Sequence, residues 1–270
     1  MLRHLLVLEW KKFRQNTVFK ILIFMFVVLM PLVLLSVKDL FKDIPPPLPS
    51  SKVFYQFPDV WEYQGYVGSW LVSLLLGFLA IYLMSSEFSQ KTLRQNVITG
   101  MKKSELFWGK VLFLVTISFL ATMVYAFSTI VLGMVHSEVS GISSIWDNEW
   151  AIFRFFLMCI GYLSIAFFFV ILLRKGILAI IVFMLYMLIL EPILMALYVY
   201  QFKNVGRNYF PMNSIEDLMP FPLYRLPDYF ITQEWNFSIL LSYNQAMIMT
   251  TFYSLLFITM SYFLFLKRDI

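Results

Sequence analysis

From Thr17 to Val37 the chain reads TVFKILIFMFVVLMPLVLLSV, with Lys20 its one charged residue. Five further stretches have the same character: Tyr66–Ser86, Val111–Val135, Ile152–Leu173, Gly176–Tyr200 and Tyr243–Leu266. Each exceeds the roughly 18 apolar residues that cross a bilayer, a length that core helices of soluble proteins seldom reach. At about 1.5 Å of rise per residue, each can traverse roughly 30 Å of hydrocarbon. Composition agrees, because 60% of the 270 residues are hydrophobic and only 14% are charged. A soluble domain carries roughly a quarter charged residues, so this chain has too few to cover a water-facing surface. The 29 Phe and 16 Met suit lipid-facing and irregularly packed helices. The expected fold is an all-α polytopic membrane protein of six transmembrane helices, with an amphipathic interfacial helix over residues 1–16 before them. No signal peptide is expected at the start: Met1–Asn16 is charged throughout, and the first apolar run is too long for an h-region. The single cysteine, Cys159, falls inside the fourth stretch, so no intrachain disulfide can form.

Six spans place both termini on one side, and charge predicts which side. Fourteen basic residues fall on the terminal side: Arg3, Lys11, Lys12, Arg14, Lys20, Lys91, Arg94, Lys102, Lys103, Lys110, Arg174, Lys175, Lys267 and Arg268. Seven fall across from them, although the loops there are longer: Lys38, Lys42, Lys52, Arg154, Lys203, Arg207 and Arg225. The acids run the other way, four against twelve. The positive-inside bias predicts cytoplasmic termini. It also accounts for the net charge of +5 without nucleic acid, since the basic residues sit in short loops beside the lipid.

On the terminal side, MLRHLLVLEWKKFRQN spaces Leu2, Leu6, Trp10 and Phe13 three to four apart among basic residues. That pattern suits a helix lying on anionic lipid. The segment SSEFSQKTLRQNVITGMKKSELFWGK, Ser85–Lys110, predicts a short helix with Leu93 and Val97 one turn apart, stopped at Gly100. Ser104 is then the expected N-cap of the helix that enters span three. A short rigid helix between two spans can pass a push on its tip into both.

On the far side, IPPPLPSSK reads as stiff and extended. In residues 201–242, Asn213 or Ser214 is placed to cap a short helix carrying Glu216 and Asp217, after which Pro220, Pro222 and Pro227 break the chain. Phe210, Phe221, Tyr224, Tyr229 and Phe230 predict that this segment leans into the outer interface. Neither loop is large enough for a separate receptor or enzyme domain.

Catalytic and metal-binding patterns are missing from the sequence. His4 and His136 lie on opposite sides, and no His/Cys cluster has ligand spacing. Gly109–Lys110 is not a phosphate loop, because Ser104 stands where that motif needs glycine. One ionisable group does lie inside a span: Glu191, beside Pro192, about fifteen residues into the fifth. At a cost of roughly 2.5–3.5 kcal/mol on insertion scales, such a carboxylate faces a cavity or a partner. If span five ends early, it meets the headgroups instead, and both readings stay open. Pro31 in span one marks a kink.

Three pieces together resemble the ABC-2 type permease, the transmembrane subunit of ATP-binding-cassette exporters. LEWKKFRQN, Leu8–Asn16, is similar to the connector before the first span of that family. Ser86–Leu112 is similar to the loop between spans two and three, with Glu87, Thr92-Leu93-Arg94, Gly100, Lys102-Lys103 and Gly109-Lys110 in the family's order. FLKRDI, Phe265–Ile270, is similar to the ending after span six. The departure is Lys102-Lys103, where many members carry Ser-Arg or a similar pair.

The resemblance implies a connector helix over 1–16 and an ABC-2 type transmembrane domain over 17–270, with a coupling loop at 87–110 and an outer segment at 201–242. It implies that Glu87, Gln90, Arg94, Gln95, Gly100, Lys102 and Lys103 couple to a cytoplasmic ABC ATPase subunit. Glu191 and Pro192 are the candidates for the translocation route or an interface. A second permease half, identical or related, completes the route in the lipid bilayer, and the address implied is the bacterial inner membrane. The chain itself would hold no catalytic residues, cofactor or metal, ATP and Mg residing on the partner ATPase. A secondary transporter would more often show internal repeats with paired broken helices, and none stands out. A membrane scaffold without transport is the remaining alternative. The sequence does not specify a substrate.

Overall fold

Asn16 ends one helix and begins the next. Its Oδ1 accepts the Phe19 N–H at 3.1 Å, capping α2 (Thr17–Leu40), and its Nδ2 donates to the Tyr82 hydroxyl at 2.8 Å. The capped junction turns the preceding helix α1 (Leu2–Phe13) back against the bundle. There Phe13 stacks on Phe113 with ring centroids 5.8 Å apart. This computed structural model describes residues 2–40, 55–90, 92–137, 144–202, 205–221 and 240–267. The IPPPLPSSK stretch, Pro222, Tyr224, Pro227, Tyr229, Phe230 and the last three residues lie outside them.

Among the described residues there is no strand, and six helices are long and apolar enough to cross a membrane. After α2 come α3 (Val60–Ser89), α4 (Thr92–Ile98), α5 (Lys103–His136), α6 (Trp150–Leu173), α7 (Gly176–Phe202), the short α8 (Pro211–Glu216) and α9 (Tyr243–Lys267). The spans are α2, α3, α5, α6, α7 and α9. Helix α6 is central, packing on α3, α5, α7 and α9. Gly161 permits this: a Cβ there would stand 2.9 Å from Ile215 of α8 and 3.1 Å from Thr250 of α9.

The spans α3 and α6 are 72% buried within the chain, against 22% for α2, α7 and α9. The outward surface is nonetheless apolar, with Phe24, Phe127, Ile177 and Phe263 all more than 60% exposed. A continuous apolar exterior of this extent is stable against hydrocarbon and not against water.

Two spans extend beyond their apolar runs. Helix α3 begins at Val60, ahead of its apolar run at Tyr66, and α5 begins at Lys103, ahead of its apolar run at Val111 and close to the cap expected at Ser104. Hydropathy marks only the stretch inside hydrocarbon, whereas the hydrogen-bonded helix continues through the polar interface. The 34 residues of α5 are about 50 Å long, well beyond the roughly 30 Å core. Helix α2 runs unbroken through Pro31. On either side of that proline, Gln64 and Tyr55 donate to the carbonyls of Met30 and Leu34, each at 2.8 Å.

Two spans contain a π turn, Val72–Leu76 in α3 and Tyr186–Leu190 in α7. In the second, the Glu191 N–H bonds the Tyr186 carbonyl five residues back, immediately before Pro192, which has no N–H to give. At the end of the bundle away from the termini, the buried Arg154 guanidinium reaches Asn148 Oδ1 at 2.7 Å, Glu62 at 3.4 Å and the Leu218 carbonyl at 3.3 Å. It lies 3.4 Å from the centre of the Tyr243 ring, whose hydroxyl also bonds Glu62. The cluster ties α3, α6 and α9 together with the charge paired, as a buried guanidinium requires.

Candidate functional site

The turn between α3 and α5 is short because both spans extend into it. Helix α3 closes at Ser89, α4 occupies Thr92–Ile98, and Gly100 has φ of +100°, a left-handed value that favours glycine. Helix α5 begins at Lys103, with the Lys102 N–H donating to the Glu105 carboxylate at 3.3 Å. The cap is therefore one residue ahead of Lys103 and not at Ser104. Glu105 reaches back to the first free donor, a local signal that the serine obscured.

Within the turn, Leu93 is buried and Val97 packs on the core, so α4 lies on the bundle by its apolar side. Gln90, Arg94, Gln95, Gly100 and Lys102 are exposed, and Lys103 is half-buried. Ile98 is 75% exposed at the tip, beside Arg94 and Gln95. The exposed face thus combines charge, amide groups and one apolar anchor.

Glu87 is separated from these residues. It is buried, and its Oε1 accepts from Lys12 Nζ at 2.6 Å and from Lys110 Nζ. Lys110 also bonds Glu9, and Lys12 reaches the Thr92 hydroxyl at 3.3 Å. Two carboxylates and two ammonium groups, drawn from α1, α3 and α5, form a balanced cluster under the stems of the turn. Lys110 lies 5.2 Å from the Phe13 ring centroid, within cation–π range. Burial pushes the Glu9 carboxyl up, and Lys110 beside it opposes that shift. Among the predicted coupling residues, Glu87 is thus buried and faces inward, paired in a cluster with Glu9, Lys12 and Lys110. Their sequence signal is faint: Glu9 and Lys12 stand three apart on one helical face, and Lys110 heads an apolar run.

Glu191 is also buried, and Pro192 beside it is exposed on the outward side of α7. The Glu191 Oε1 accepts the Asn213 N–H at 2.9 Å. Asn213 is the third residue of α8, whose N-cap is Phe210 and whose first residue is Pro211. The cap expected from Asn213 or Ser214 is supplied instead by a carboxylate 22 residues earlier in the chain. A helix N-terminus offers N–H donors and positive potential, and this offsets part of the cost of a glutamate inside a span. Asn213 itself uses Nδ2 to bond Asp217 at 3.0 Å. Of the expected aromatics, Phe210 packs on Tyr198 and Phe221 on Tyr66.

No curated protein matches the chain. The ABC-2 family of transporter proteins matches residues 5–190, taking in most of α1, the charged cluster, the turn, four spans and the fifth as far as its π turn. The match covers well over half of the chain, and the chain belongs to the ABC-2 family of transporter proteins as a multi-pass membrane permease.

Proposed function

We propose that this chain is the membrane half of an ATP-driven exporter and that the turn from Gln90 to Lys102 docks on a separate cytoplasmic ATPase. The observation that supports this most directly is the division of labour within the turn. Helix α4 is anchored by Leu93, while Arg94, Gln95 and Ile98 face outward, and the stems on both sides are locked by Glu87 and Lys110. A push on the tip would therefore reach α3, α5 and α1 together. The excess of basic residues at the terminal end, fourteen against seven, favours a cytoplasmic position for this face. A second permease half would complete the route, with ATP and Mg held by the ATPase. The π turns in α3 and α7 leave both helices continuous, which favours this reading over the unwound helices of a secondary transporter.

The test uses the full chain purified with whatever ATPase accompanies it from native membranes. In the Arg94→Glu, Lys102→Glu, Lys103→Glu triple variant, permease-stimulated ATP hydrolysis should fall, with loss of charge-assisted bonds worth about 1.5–3 kcal/mol each. Full stimulation with intact co-purification would rule out docking through this face.

A further inference from the structure

A cavity of ≈ 460 Å³ opens between α3, α6, α7 and the segment that follows α8. All its described walls belong to one chain. Tyr66, Trp70, Tyr162 and Phe221 supply aromatic surface, with the Tyr66 and Phe221 ring centroids 5.0 Å apart. Both π turns border it, the first through Ser73 and the second through Met187. A π turn inserts one residue into a helix, re-aims the side chains around it, and is common at functional sites.

Of the three charged groups among the wall's described residues, two are already engaged. Asp217 accepts from Asn213 Nδ2 at 3.0 Å and from the Leu241 N–H at 2.9 Å. Arg207 donates to Asn208 at 3.1 Å, and its charge offsets that of Asp217. Glu216 has an exposed side chain whose carboxylate makes no hydrogen bond or ion pair among the described residues. Glu216 is among the residues that line the cavity. Among the described residues, one carboxylate without an ion pair thus lines a space that Tyr66, Trp70, Tyr162 and Phe221 also line.

We propose that this cavity binds an organic cation of drug size, its ammonium against Glu216 and its apolar body between Tyr66, Trp70, Tyr162 and Phe221. The volume fits a single small molecule, since ligand pockets run from about 300 to 1,000 Å³. Aromatic faces and a carboxylate attract a cation together, and each repels an anion. The site goes beyond the coupling reading and needs neither nucleotide nor ATPase, so it stands or falls separately from it.

The experiment measures fluorescence anisotropy of rhodamine 6G, a flat cation, with the full chain in lipid nanodiscs at about pH 8. Empty nanodiscs correct for partition into lipid, and anionic fluorescein is the charge control. Saturable rhodamine binding is expected, weakened about tenfold or more by Glu216→Gln and kept within about threefold by Glu216→Asp. Phe221→Ser, which leaves the carboxylate in place, should also weaken it. Rhodamine uptake no greater than in empty nanodiscs, equal affinity for fluorescein, or unchanged binding in both Glu216→Gln and Phe221→Ser would overturn the proposal.

Discussion

Lys110, near the start of the third span, bonds Glu87 in the last turn of the second, across the base of the turn that joins them. Both are buried, and Glu9 and Lys12 of the first helix complete the set. Removing one member leaves an uncompensated charge, whereas replacing a pair by apolar groups is often neutral. Lys110→Met should therefore destabilise the protein by about 3 kcal/mol, and Glu87→Leu with Lys110→Met should recover most of that loss. Cys159, the single cysteine and fully buried, makes the readout simple. A thiol-reactive fluorophore will report its exposure on thermal unfolding. A double variant as unstable as the single one would mean that the cluster does not act as a paired unit.

The orientation proposed for the turn is testable with the same cysteine removed. In a Cys159→Ser background, Gln95→Cys at the exposed turn should be shielded from an impermeant thiol reagent in intact cells. Asp147→Cys, exposed at the opposite end, should react. Ser214 is unsuitable for such labelling, being fully buried beneath α9. Labelling at position 95 before lysis would reverse the orientation and remove the coupling proposal with it.

Gly100 separates backbone effects from packing effects. A Cβ at this position meets no atom within 4 Å, so substitution acts through φ alone. Gly100→Ala should cost about 1 kcal/mol and the β-branched Gly100→Val about 2. The loss should appear as faster amide exchange across α4 before any change in global unfolding. Equal exchange in both variants and the native chain would show that the turn does not depend on this conformation.

The six spans were legible because hydrocarbon imposes a minimum apolar length on each, and the turn because Gly100 has a strong local preference. What escaped sequence reading is set by contacts between distant residues. Lys110 finds Glu9 across 101 positions and Lys12 finds Glu87 across 75, and no local spacing encodes either. Glu191 illustrates the same limit. Its depth marked it as unusual, but among its partners is a backbone N–H of a helix too short to be recognised by periodicity. The first turns of α3, from Val60 to Gly65, are not marked by hydropathy, which reports the solvent around a residue and not the helix that contains it.

Glu191 holds the first turn of α8, and the strength of that cap follows from its acceptor. Glu191→Gln keeps an oxygen in place and should remain close to the native stability. Glu191→Leu leaves the Asn213 N–H without its acceptor and should cost about 1–2 kcal/mol, with faster exchange at that amide. If Glu191→Leu matches the native chain in both measurements, the carboxylate is not the cap.

Glu216 gives the cavity a pH response with a definite sign. Enclosure by protein, together with the carboxylates of Glu191 and Asp217, pushes its carboxyl up to about 7. Asp217, Arg207, Tyr66 and Tyr162 are the other titratable groups among the wall's described residues, and Arg207 stays charged throughout this range. For an acid whose pKa is raised by folding, stability is fully present below the ordinary value of 4.5 and falls as pH rises through about 7. Ligand binding runs the other way, because only the ionised carboxylate attracts a cation. Rhodamine affinity should therefore rise between about pH 6 and pH 8, while the thermal midpoint of the unliganded chain declines over the same interval. In Glu216→Gln both slopes should flatten. Affinity that is level across this range in the native chain would mean that Glu216 is ionised throughout. A slope that survives in Glu216→Gln would assign the titration to another group in the wall.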